Sequence, residues 1–304
     1  MSSSSEIIIL NRESGNLEKE RVYGDLFVKF LYQSAPGRLV ENFLSENWVS
    51  KLYGLYQGSV LSHHKIQKFI QDFQIDMDEF IGQDEYKSFN DFFVRKFKNG
   101  KRIFSHDPNS LSAFAEARYL GFDKIDLNQT YPVKGKELTG ESLLAHTDLA
   151  ECFHEGPILI ARLCPVDYHR FHFPDDGVLK KFYEIHGQLH SVNPMALSSV
   201  SEIYIKNERQ VSILETANFG KLAYIEVGAL CVGKIVQTHQ CFSNSDIKDF
   251  KRGDEKGIFL FGGSTVILLG EKNRWRPCKD ILENTSKKRE VLIKLGQAVG
   301  EKLS

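Results

Sequence analysis

Two short stretches hold the residue types from which chemistry can be built. The first is Gly262-Gly263-Ser264-Thr265, set between the apolar runs Phe259-Leu260-Phe261 and Val266-Ile267-Leu268-Leu269. Glycine holds backbone angles that other residues avoid, and no side chain shields its carbonyl. The Ser264 hydroxyl can therefore reach the Gly263 carbonyl carbon where the backbone is strained towards it. Attack there converts the amide into an ester and prepares the chain to break between 263 and 264. The competing reading is an ordinary serine in a tight β-hairpin turn, since strand-like runs on either side of a Gly-Gly step commonly form one.

The second stretch is Pro165-Val166-Asp167-Tyr168-His169-Arg170-Phe171-His172-Phe173-Pro174, the densest polar-aromatic cluster in the chain. His169 and His172 stand three residues apart. Imidazole, with an ordinary pKa near ~6.5, suits proton transfer at neutral pH. A serine hydroxyl needs such a base to become a nucleophile. A metal site is the weaker alternative, because no cysteine or acid stands at a recognisable ligand offset. Structural histidines bonded to backbone are the third.

The elements around these stretches change character along the chain. From Gly24 to Asp72 the apolar spacing is helical, with Phe27, Phe30 and Leu31, then Leu39, Val40, Phe43 and Leu44, then Trp48, Leu52 and Tyr56, then Ile66, Phe69, Ile70 and Phe73. Pro36-Gly37 separates the first two helices. With Lys29, Arg38, Lys51, Lys65 and Lys68 scattered among them, these helices suit either a bilayer interface or packing on the rest of the protein. Ser88 is placed to cap a helix carrying Phe89, Phe92, Phe93 and Phe97, ended by Asn99-Gly100. Strands are expected from Leu111 onward, at 156–163, 178–185, 211–215, 222–227 and 230–238. Glycines 228 and 233 suggest bulges or close backbone contacts. Residues 283–303 read as a closing amphipathic helix around Val291, Leu292, Leu295, Val299 and Leu303. The fold class is α+β: N-terminal amphipathic helices, then a mostly antiparallel β-rich domain.

At 304 residues, 41% hydrophobic and 26% charged, the chain can bury a sizeable core. A formal net charge of −1 leaves no overall field to attract nucleic acid. Five cysteines without close pairing fit a reducing compartment rather than a disulfide framework. No apolar run approaches the ~20 residues of a membrane span. Ile7–Leu10 is too short for a signal peptide, and Met1–Ser5 reads as a disordered tip.

Six stretches in order resemble the phosphatidylserine decarboxylase family of self-processing pyruvoyl enzymes. They are Phe89-Asn90-Asp91-Phe92-Phe93-Val94-Arg95; Asp167-Tyr168-His169-Arg170-Phe171-His172; Ser191-Val192-Asn193-Pro194; Asn207-Glu208-Arg209; Val227-Gly228-Ala229 with Val232-Gly233; and Gly262-Gly263-Ser264-Thr265. The resemblance implies cleavage of Gly263-Ser264 into a β subunit, 1–263, and an α subunit whose Ser264 becomes a covalent pyruvoyl group. That group is the only cofactor implied, with no metal. It would form a Schiff base with phosphatidylserine, releasing CO2 and phosphatidylethanolamine. The family activates its serine with an Asp-His-Ser triad, in which His172 matches the histidine; His169 matches a second one, linked to decarboxylation. The family's Asp lies in an Ala-Asp-Gly motif, and here Ala115-Glu116-Ala117 places Glu116 at that position, with a reach longer by about one C–C bond (~1.5 Å). Asp167 is a second carboxylate nearby, and Arg162 and Arg170 are candidate holders of phosphate or carboxylate.

The implied organisation is a helical, membrane-associating region over 1–85 and a catalytic domain over 86–304. The implied setting is a peripheral protein on the cytoplasmic face of the cell membrane, a homodimer of processed protomers. Two other readings remain: a serine hydrolase that keeps Ser264 with His172 as its base, and an unprocessed lipid-binding homologue.

Overall fold

In the computed structural model the described residues are 7–20, 29–32, 34–45, 47–82, 86–124, 139–199, 202–230, 234–243, 246–262 and 264–303. Gly263 lies outside them, as do Met1–Ser5, Gly24, Phe27, Val232 and Gly233.

Ser-Thr-Val-Ile-Leu-Leu-Gly, residues 264–270, forms a strand buried along its whole length. A run this apolar and β-branched has no solvent face to offer, so it takes the middle of a sheet. It pairs antiparallel with Ile158–Leu163 on one side and Gly220–Val227 on the other. The ten-stranded sheet reads, edge to edge, Asp249–Phe250, Gly177–Ile185, Arg209–Thr216, Gly220–Val227, Ser264–Gly270, Ile158–Leu163, Ala117–Phe122, Val291–Ile293, Ile8–Asn11 and Leu17–Lys19. Its pairings are antiparallel except that of Ile8–Asn11 with Val291–Ile293. A three-stranded sheet of Ile235–Gln237, Glu255–Phe259 and Arg170–His172 bears the histidine stretch, and another joins Trp275–Pro277, Ala298–Lys302 and Ser110–Ser112. The expected α+β class is the observed one.

Three local expectations are corrected. The runs before and after Gly262-Gly263 do not form a hairpin: Glu255–Phe259 belongs to the small sheet and Ser264–Gly270 to the large one, so the chain crosses between sheets there. Residues 283–303 are not one helix. A helix ends at Ser286, and Val291–Ile293 and Ala298–Lys302 are strands. Gly296 between them has φ +84°, which stops a helix, and Val291 and Leu292 find partners on Leu10 and Asn11. The helix capped by Ser88 ends at Phe93, six residues before Asn99.

Helices Ala35–Leu44, Asn47–Gln57 and Lys65–Phe73 occupy the N-terminal region. The last buries Ile66 and Phe69 in a cluster with Phe89, Phe92, Phe93 and Phe261, so its apolar stripe packs against the segment leading into Ser264. Leu55, Val60 and Leu61, at the end of the second helix and the turn after it, are each more than 70% exposed. Residues 8–19, which precede these helices, belong to the large sheet.

Candidate active site

Ser264 is fully buried, and its Oγ has no hydrogen-bond partner among the described residues. An unpartnered buried hydroxyl costs about 1–3 kcal/mol, so native folds rarely leave one without a use. Two residues upstream, Gly262 adopts φ +140°, a conformation closed to residues with a Cβ. Glycine meets it at no steric cost, and Gly263, whose carbonyl would be attacked, lies outside the described residues.

The approach is held from the side. The Phe261 amide donates to Asn90 Oδ1 at 2.9 Å, and the Phe261 ring packs edge-on against Phe89 and Phe93. Ser88 accepts from the Asp91 amide at 3.2 Å and so starts the short helix that presents Asn90 and these rings.

His172 and His169 both lie on or beside the small sheet. His172 Nδ1 is 2.9 Å from the Gly253 carbonyl, and His169 Nδ1 is 3.0 Å from the Asp167 carbonyl. A carbonyl can only accept, so each Nδ1 carries the proton and each Nε2 keeps its lone pair. Both Nε2 atoms are buried and without a hydrogen-bond partner among the described residues. Burial holds the His169 pKa down at about 3, with Arg95 and Arg118 adding to the effect while the Gly262 backbone opposes it. Burial lowers the His172 pKa as well. Both rings are therefore neutral at pH 7, with a free basic nitrogen. The His169 ring lies 3.9 Å from that of Phe93, which also packs on Phe261.

The histidine sheet lies over the face of the large sheet that carries Ser264. Tyr224 pairs with Leu268 and Glu226 with Val266, so these side chains share a face with Ser264, two residues from Val266. The Tyr224 hydroxyl on that face donates to the His172 carbonyl at 3.2 Å.

Glu116 stands elsewhere. Arg102 grips it with Nε at 2.5 Å and Nη2 at 2.8 Å, and the Leu295 amide donates to it at 3.2 Å. None of its partners is His172, whose Nδ1 is taken by Gly253. A stack connects the two: the Arg102 guanidinium lies 3.9 Å over Phe97, Phe97 lies 4.2 Å from Tyr168, and Tyr168 stacks on His172 at 6.0 Å. Asp167 contacts Arg118 and accepts from the Cys164 amide at 2.6 Å.

Arg162 and Arg170 are committed to acids of the fold. Arg162 pairs with Glu20 at 3.0 Å and Glu290 at 2.5 Å, and Arg170 with Glu255 at 2.8 Å. Among the described residues no group of three or more His, Cys, Asp and Glu could hold a metal ion.

The family model for phosphatidylserine decarboxylase matches residues 89–301. A phosphatidylserine decarboxylase proenzyme of Clostridium novyi is 41% identical over 299 residues, covering 98% of this chain and 100% of that protein. The chain belongs to the phosphatidylserine decarboxylase family. A second such proenzyme, from Clostridium kluyveri, is 42% identical over 96% of this chain and 98% of its own length. A third, from Clostridium perfringens, is 41% identical over 97% and 100%.

Against this phosphatidylserine decarboxylase background, Gly253 and Asn90 are the site residues that sequence reasoning missed as participants. Gly253 acts through its carbonyl, which no residue type advertises. Asn90 stands inside a matched stretch, but only the fold shows its amide side chain holding the backbone of Phe261. Arg95, from the same stretch, donates to the Val166 carbonyl at 2.8 Å and the Asp167 carbonyl at 3.3 Å. It thus shares with His169 the carbonyl that sets the ring's tautomer.

Proposed function

We propose that this chain is a proenzyme that cuts itself between Gly263 and Ser264 and then decarboxylates phosphatidylserine to phosphatidylethanolamine. As a member of its family it is a decarboxylase, a carboxy-lyase. The observation that carries the reading is the unpartnered, fully buried Ser264 Oγ at the start of a central strand, two residues after Gly262 at φ +140°, with two buried histidines whose Nε2 atoms are free on the small sheet that packs on the same face.

In the first reaction His172 Nε2 takes the Ser264 hydroxyl proton as Oγ bonds to the Gly263 carbonyl carbon. The proton passes to the Ser264 nitrogen as the C–N bond breaks, which leaves an ester. Elimination of that ester, with removal of the Ser264 Cα proton, frees residues 1–263 as a carboxylate and leaves a dehydroalanine at 264, which one water hydrolyses to the ketone with release of ammonia. The site fits the pyruvoyl group that would follow: Ser264 is fully buried, and the hydrogen-bond partners of His169 and His172 among the described residues are backbone carbonyls rather than carboxylates. When present, that group supplies a ketone carbonyl that engages the substrate amine and accepts the electron pair left by CO2. His169, packed against Phe93, would take a proton on Nε2 from the substrate ammonium as the amine engages the carbonyl and return it to the substrate carbon after CO2 leaves. Glu116 acts as a charge behind Arg102 rather than through contact, and its field reaches Tyr168 beside His172.

Phosphatidylserine stays in its bilayer, so the enzyme must come to a surface. No helix among the described residues is long and apolar enough to cross a membrane. The exposed Leu55, Val60 and Leu61, close in sequence to Lys65 and Lys68, favour a peripheral contact on the cytoplasmic face through the helices of the 1–85 region. The processed protomers would act as a dimer. Replacing Leu55, Val60 and Leu61 with serine should release the protein from phosphatidylserine vesicles in flotation; undiminished flotation would reject this contact.

Mass spectrometry of the purified protein beside Ser264→Ala tests the central claim. Two fragments split at 263/264, the smaller bearing a carbonyl-reactive end, are expected from the former and one intact chain from the latter. An intact wild-type chain would overturn it.

A further inference from the structure

One buried ion pair has no part in the chemistry above. The side chains of Lys256 and Glu226 are both fully buried and in contact. Lys256 sits at an irregularity in the small sheet: Glu255 pairs with His172 and Gly257 with Phe171, which leaves Lys256 as the extra residue of a bulge. Its ammonium also donates to Gln237 Oε1 at 3.0 Å and lies 4.6 Å from the Phe242 ring centroid and 4.8 Å from that of Tyr224. Glu226 belongs to the large sheet, on the strand next to Ser264–Gly270, and projects from the Ser264 face. One ion pair therefore fastens the strand beside His172 to the strand beside Ser264. Burial raises the Glu226 carboxyl and lowers the Lys256 amine, so the fold bears a desolvation cost on both partners. Well-packed apolar residues would serve stability as well or better. What they would not supply is register. In a strand a one-residue slip turns every side chain to the opposite face, and such a slip would carry His172 away from Ser264.

We propose that Lys256 and Glu226 are positioning residues for self-processing, a register lock that seats the histidine sheet over Ser264. The inference rests on the self-cleavage reading.

The test compares cleavage half-times of freshly refolded wild type, the apolar double variant E226L/K256M and the charge-conserving K256R, each with its melting temperature. The double variant should melt at or above the wild-type temperature yet cut itself at least ten-fold more slowly, and K256R should stay within three-fold of wild type. A double variant that cuts at the wild-type rate overturns the lock. So does a K256R variant as slow as the double variant at unchanged melting temperature, which would make packing volume the cause. Should the double variant fail to fold, E226Q/K256Q, which removes both charges and leaves no unpaired ion, takes its place, and its folded chain should again cut itself at least ten-fold more slowly than wild type. A wild-type chain that never cuts sinks the self-processing reading and this one with it; a cutting wild type with an equally fast double variant sinks this one alone.

Discussion

The buried polar groups of the central sheet are of two kinds, densely paired and unpaired. On one face Arg118 and Arg162 are register partners, and Thr265 pairs with Arg162. Those guanidinium groups meet Glu20, Asp167 and Glu290, so each buried cation has more than one acid. On the other face Glu226 is paired with Lys256, but Ser264 has no partner among the described residues, and the histidines of the small sheet packed on that face each leave Nε2 unbonded. Polar groups surrounded by partners brace the sheet, whereas polar groups held dry and unpaired retain their reactivity. The same strand serves both, because successive side chains point to opposite faces.

Substitutions on each face break this contrast in different currencies. On the reactive face, His172→Gln keeps the shape but removes the basic lone pair, and self-cleavage should slow by about 10²–10⁴-fold with little change in melting temperature. A loss below ten-fold would remove His172 from the role of base. The two rings also set an acid limit. Both are neutral in the fold, with pKa values depressed below the ordinary 6.5 and that of His169 near 3. Below pH ~6.5 the unfolded chain binds protons that the folded chain does not, so stability should fall as pH drops from about 6.5 towards 3, by on the order of 1.4 kcal/mol per pH unit for His169, with His172 adding to the fall until its own lowered pKa is reached. Melting curves of the uncut Ser264→Ala chain would show this, and a flat profile over that window would contradict it.

On the braced face, Arg162→Met strands Glu290 and leaves Glu20 with Arg118 as its only guanidinium partner among the described residues, and should cost about 3–5 kcal/mol of stability. The fraction that folds should still cut itself within about two-fold of the wild-type rate. A specific loss of cleavage at intact stability would mean that both faces share the chemistry.

The smallest effect is expected at Glu116, which belongs to neither face. Because Gly253 already holds His172 Nδ1, Glu116→Gln should slow cleavage by less than about ten-fold, while the weakened Arg102 clamp lowers stability by roughly 1 kcal/mol. A loss matching that of His172→Gln would restore Glu116 as the triad acid.

Much of this was written locally. The apolar run 266–269 reads as a strand and is one, and Ser88 and Asp91 announced a helix start. Each signal lies within a few residues of the feature it specifies, because strand burial and capping are decided by neighbours in the chain. The C-terminal segment misled for the same reason: Val291, Leu292, Leu295 and Val299 suit a helix by spacing, and only their partners at Leu10, Asn11, Ala117 and Arg118 make strands of that region.

The tertiary structure alone decided what orients the bases, which face Ser264 shares, and what joins the sheets. The carbonyl that fixes His172 comes from a residue 81 positions away, the amide side chain that holds Phe261 from one 171 away, and the acid that meets Lys256 from one 30 away. Backbone carbonyls are the same in every residue, and register between distant strands follows from the packing of the whole sheet. Sequence could therefore pick out Ser264, His169 and His172 as candidates, but their partners were chosen by the fold.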